Sequence, residues 1–145
     1  MDQLYSYFGN RTFTLTSLYT SNANLCNGQE WHAAAGASSR LLTVAKTING
    51  KLIGAYQSLA CPEHHTLLNE TGLIDPNSFI FSLTEDEVFA AQPRSFFQRA
   101  HLTCPNVKNW LQTWTGALTF SVSQQQCVGY YTPDSNLFDN ELTRP

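Results

Sequence analysis

The run from Leu41 to Tyr56 constrains this chain more than any other part of it. Two apolar-rich stretches, Leu41-Leu42-Thr43-Val44-Ala45 and Leu52-Ile53-Gly54-Ala55-Tyr56, flank Asn49-Gly50. Asn and Gly tolerate the positive φ angles of a type I′ turn, so the run predicts a two-residue β-hairpin. In that register Ile48 pairs with Lys51, Lys46 with Ile53, Val44 with Ala55 and Leu42 with Gln57. The other face carries Thr47 with Leu52, Ala45 with Gly54, Thr43 with Tyr56 and Leu41 with Ser58. Both faces hold apolar side chains, which calls for a sheet covered on both sides in a layered structure.

Other segments read in the same terms. Phe13 and Leu15, with Leu18 and Tyr19, stand among threonines in near-alternation and predict a half-buried first strand. Asn27 and Glu30 form a capping-box pattern ahead of Trp31, Ala34 and Ala35, predicting a short helix that packs on a sheet and stops at Gly36. Phe79, Phe81 and Leu83 alternate with Ser78, Ser82 and Thr84, and Ile80 adds an apolar residue to the second face. This is a core strand ending at Glu85-Asp86-Glu87. Leu118, Phe120 and Val122 repeat the two-residue period, and residues 128–131 read as a last strand. Residues 93–100 and 107–113 read as helical turns. The whole is a sheet-dominated α+β chain of one domain, with an N-terminal extension over 1–12, the domain over 13–131 and a tail over 132–145.

Composition narrows the function. The 145 residues are 42% hydrophobic and 12% aromatic, enough apolar surface to offset chain entropy. Only 13% are charged, against a usual share of roughly 25%. The net charge is −3 and no Lys/Arg cluster occurs, which argues against nucleic acid as a partner. No apolar run reaches the roughly 18–20 residues a membrane-spanning helix needs, and no export signal is read at the N-terminus. The nucleophile-elbow, phosphate-loop and dinucleotide motifs are missing, so no catalytic residue and no cofactor is assigned. Two thiols and two imidazoles in paired short spacings, Cys61 and His64 with His101 and Cys104, are the candidate zinc ligands. The competing readings are a disulfide from Cys61 to Cys104 or Cys127, and plain buried or loop thiols, which the sequence favours. Asn10 and Asn69 head acceptor triplets that would be glycosylated in a secreted protein. Trp110 and Trp114, four apart, share one face if helical. Such a face is core, or, if exposed, an anchor for a partner, as are Phe96 and Phe97.

Two stretches carry a family resemblance. The hairpin, with its Ile53-Gly54-Ala55-Tyr56 strand, and Asp75-Pro76-Asn77-Ser78-Phe79-Ile80-Phe81-Ser82-Leu83-Thr84 resemble the signatures of TLDc domains in order and spacing. Phe13-Thr14-Leu15 and the Trp31-His32 helix are similar to that family's opening elements, so the resemblance runs from Phe13 to Val122. Thr115-Gly116-Ala117-Leu118 stands where the family has a glycine-rich segment. The resemblance implies a two-layer β-sandwich of mostly antiparallel strands flanked by a few short helices. It also implies a non-catalytic interaction module that docks on a larger assembly of protein partners, in this family notably the vacuolar-type proton pump, with links to oxidative-stress resistance. A cytoplasmic location follows from the resemblance, with secretion as the alternative. The alternative function is a structural subunit built permanently into a complex or extracellular array, for which the low charge and the acceptor triplets speak.

Overall fold

The computed structural model describes residues 2–21, 26–60, 71–91, 102–104, 110–114, 118–123, 126–131 and 138–140. It places the hairpin as β1 (Leu41–Lys46) and β2 (Leu52–Gln57), in a register one residue away from the expected one. Leu41 faces Gln57, Thr43 faces Ala55 and Ala45 faces Ile53. The reason lies in the turn. Gly50 alone takes a left-handed φ, +82°, and Asn49 does not, so the two-residue type I′ geometry is not adopted. Instead the Gly50 N–H donates to the Thr47 carbonyl (2.9 Å) and the Thr47 N–H to the Lys51 carbonyl (2.8 Å). This is a three-residue loop, a turn closed by a left-handed glycine. The shift sorts the side chains cleanly: Leu41, Ile53, Ala55 and Gln57 are buried on one face, while Val44, Lys46 and Leu52 are exposed on the other.

The chain is a mixed α+β fold. Its first sheet is a four-stranded antiparallel array, β1, β2, β4 (Phe79–Ser82) and β5 (Glu87–Ala91), extended by β10 (Phe138–Asn140) against β5. The second has the order β3 (Thr71–Leu73), β6 (Leu102–Cys104), β7 (Trp110–Trp114), β8 (Leu118–Ser123) and β9 (Gln126–Tyr131), also antiparallel throughout. The expected core strand is β4, and all four of its residues are buried. Its expected end at the acidic run is instead a turn over 83–86, with Asp86 at φ 53°, and Glu87 opens β5.

Apolar side chains cover one face of the first sheet and, on the other, the part around β4; the expected cover of both hairpin faces is incomplete, because Val44 and Leu52 stay exposed. On one face Ile53, Ala55, Ile80, Phe89 and Ala91 pack with Leu118 and Phe120 of β8. On the other, Phe79 and Phe81 pack with Leu4, Tyr7 and Phe8 of the N-terminal helix α1 (Asp2–Tyr7) and the residue following it, and with Phe13. Each fully buried Phe or Ile contributes roughly 1.5–3 kcal/mol. Gly54 lets this second face close. A methyl group there would stand 2.6 Å from the Phe81 ring and closer still to the Thr43 carbonyl oxygen. The stretch offered as an extension is thus part of the packing. Gln3 and Tyr7 fasten α1 to the turn after β4, through Gln3 Nε2 to the Leu83 carbonyl (2.8 Å) and the Tyr7 hydroxyl to Asp86 Oδ1 (3.0 Å).

The short helix is α2 (Gly28–Ala34), and Asn27 caps it by accepting from the Glu30 N–H (3.1 Å). Trp31 and Ala35 are buried, whereas Ala34 is exposed. Two expectations fail. Residues 11–21 form no strand, and Leu15 and Leu18 are 52% and 45% exposed. Residues 110–113, read as helical, belong to β7, which is hydrogen-bonded on both sides, to β6 and β8. Two Trp and a Thr suit that pleated setting better than a helical one.

Candidate interaction surface

The extended stretch 11–21 is held at its two ends. Near its start, the Phe13 carbonyl accepts from the Tyr5 hydroxyl (3.3 Å), and the Phe13 ring meets the rings of Tyr5 and Phe8 edge-on at 4.8 and 4.9 Å. Near its end, the Tyr19 hydroxyl accepts from the Asn27 N–H (3.0 Å) and donates to the Asn27 carbonyl (3.3 Å). Between these anchors the stretch forms one wall of a half-open hollow of about 1670 Å³. β1 lines it too, and among the described residues it ends its sheet and has a strand partner on one side only. Trp31, Ala35, Leu41 and Phe120 belong to one apolar cluster and line the floor, and β9 closes the side near Cys127.

Two properties set this hollow apart. Leu15, Leu18, Val44, Ile48 and Val128 line it, five of the eight large exposed apolar side chains among the described residues. Single exposed apolar residues are ordinary; here five of them share one concavity. Its charge is also one-sided. Arg11, Arg40 and Lys46 line it, and no Asp or Glu among the described residues does. Arg40 sits at the entry to β1 with φ 50°, and its N–H donates to the Ser58 carbonyl (3.2 Å). Its charge opposes the rise in the pKa of Tyr56, a rise driven first by burial and then by Asp75. At this size the hollow exceeds the ~300–1,000 Å³ of sites that enclose small ligands.

The residues singled out from the sequence do not converge here. Cys61, His64 and His101 lie outside the described residues. Cys104 is on β6 with its backbone opposite Thr71, and its side chain too lies outside what is described, so the four-ligand zinc set is not assembled from described atoms. Cys127 is not joined to Cys61. It is bonded to Cys26, at a Cα–Cα distance of 5.2 Å, because β9 lies at the edge of its sheet beside the approach to α2. Free thiols, the favoured reading, therefore fail for this pair. Asn10 is exposed just after α1 at φ 62°, and Asn69 lies outside the described residues, as do Phe96 and Phe97. Trp110 and Trp114 stand four apart on β7, with an irregularity in pairing between Trp110 and Gln112, and the directions of their indoles lie outside what is described.

Arg11, Arg40 and Lys46 are not marked as a group by the sequence. No motif joins them; the available signal was that two of them bracket an apolar edge strand. No family model matches the chain, and no curated protein or solved structure is significantly similar to it.

Proposed function

We propose that this chain is a non-catalytic, TLDc-like protein-interaction domain, its two sheets closing as the layers of a β-sandwich, that docks on a larger assembly through the hollow beside β1. The observation that carries this reading is the gathering of Leu15, Leu18, Val44, Ile48 and Val128 in one concavity of peptide-holding size. Contact of Leu118 and Phe120 with the Ile53 face supports the layered arrangement. The resemblance of the hairpin and of the stretch from Asp75 to Thr84 supports the family.

The test combines behaviour alone and in company. The full chain, purified by itself, is expected to run as a soluble monomer. In an extract of its own cells it is expected to migrate with a larger assembly, and Val44→Asp with Ile48→Asp should abolish that migration without changing the thermal midpoint. Migration that survives the double substitution removes the hollow from the reading. The second reading, a subunit built permanently into a complex or extracellular array, is favoured by the Cys26–Cys127 bond, since disulfides persist in oxidising compartments. It expects a chain that precipitates when made without its neighbours.

A further inference from the structure

We infer that the hollow beside β1 takes an acidic, extended segment of a partner protein, laid along β1 with carboxylates near both of its ends; this rests on the docking reading above. The chain as a whole is acidic, with 11 Asp and Glu against 8 Lys and Arg. Yet Arg11, Arg40 and Lys46 all line this one concavity, with no described carboxylate beside them. The ion pair of Lys51 with Glu85 (3.0 Å) lies elsewhere, between the hairpin turn and the turn after β4. An anionic segment is therefore repelled by most of the molecule and attracted here, which steers encounter and fixes orientation.

The geometry sets the spacing. Arg40 immediately precedes β1 and Lys46 is its last residue, so the two cations bracket the strand. Six residues of extended chain span about 20 Å. A partner strand of that length places carboxylates about six positions apart, one against each cation. Between them its apolar side chains meet Val44 and Leu15, which are 46% and 52% exposed. An end strand offers main-chain hydrogen bonds to an added strand, and the flanking side chains supply selectivity. A second copy of this chain is the wrong occupant. Two-fold pairing along β1 sets the same patch against itself and brings Arg40 and Lys46 against their own kind.

Fluorescence anisotropy of the full chain with labelled seven-residue peptides tests the inference. The probe is Glu-Thr-Val-Thr-Val-Thr-Glu, whose valines share a face with its glutamates, and the comparators carry Lys or Gln at both ends, or N-methyl groups on alternate backbone nitrogens. The Glu-ended peptide is expected to bind at least about ten-fold more tightly than the Lys-ended one, to weaken as salt rises, and to lose affinity on N-methylation. Arg40→Glu with Lys46→Glu should invert the preference between the Glu- and Lys-ended peptides. All of these side chains are exposed, and an unchanged thermal midpoint confirms that the variants fold. Equal binding of all the peptides, no binding of the Glu-ended one, or tighter binding of a short oligothymidylate overturns the inference. If it fails while migration with a larger assembly still depends on Val44 and Ile48, the docking reading stands and only the acidic partner is lost. If that migration is itself absent, the docking reading fails.

Discussion

Asp75 is fully buried, and its carboxylate joins the end of β2 to the start of β4. Oδ2 accepts from the N–H groups of Ser58 (2.7 Å) and Leu59 (3.2 Å), and Oδ1 from the Ser58 hydroxyl (2.5 Å) and the Asn77 N–H (3.2 Å). Removing it strands several donors at once, of which the more exposed regain water. Asp75→Ala is therefore expected to cost about 3 kcal/mol in urea unfolding. Asp75→Asn, which keeps the size but turns an amide NH₂ toward those donors, should recover little of it; a neutral Asp75→Ala would refute the role. Tyr7 makes a pH prediction. Burial first, then its hydrogen bond to Asp86, pushes its pKa up to about 12, while Gln3 pulls the other way. A proton held more tightly in the folded state stabilises it fully below the ordinary value of 10.0 and ceases to do so as pH climbs through about 12. The thermal midpoint should fall across that window, and Tyr7→Phe should flatten part of the fall. Tyr56, also raised by burial, leaves a remainder of the same sign. An identical profile for Tyr7→Phe would rule out the contact.

Elements were legible where two signals agreed. The hairpin combined an Asn-Gly turn with flanking apolar runs, β8 had a two-residue period and β4 had one broken only by Ile80, so all were found. The one-residue register error shows what was missing: which turn residue takes the left-handed conformation depends on how the strands close, not on the dipeptide alone. That distinction is measurable. Gly50→Ala should cost about 1 kcal/mol, as an L side chain at φ +82° requires, while Asn49→Ala should change the unfolding midpoint little. Equal losses would restore the two-residue turn. β5 was missed because the turn before it has no glycine, Asp86 taking the left-handed position, and because its acidic start looked like an ending. Residues 13–19 have the alternation of a strand, but the ends of the stretch are tied to Tyr5 and Asn27, and its leucines stay exposed.

At the scale of the whole molecule, the bond from Cys26 to Cys127 ties the approach to α2 to the last strand of the second sheet, across a sequence separation of 101. A cross-link over so long a loop typically adds about 2–4 kcal/mol by restricting the unfolded chain. Unfolding in urea with and without reductant should differ by that amount, and Cys127→Ala should match the reduced protein; coincident curves would show that the bond adds nothing. This pairing was beyond reach of sequence reasoning, because four cysteines allow three connectivities and spacing does not choose among them. The candidate surface was hidden for a related reason. Arg11, Arg40 and Lys46 are far from forming a cluster in the sequence and come together only where an end strand faces the stretch 11–21. By itself the sequence determined local matters, where a side chain and its near neighbours suffice: the hairpin, the buried strand β4 and the Asn27 cap. The tertiary structure alone decided the strand register, the cover supplied by α1, the cysteine pairing and the one-signed hollow, because each depends on residues distant in the chain meeting in space.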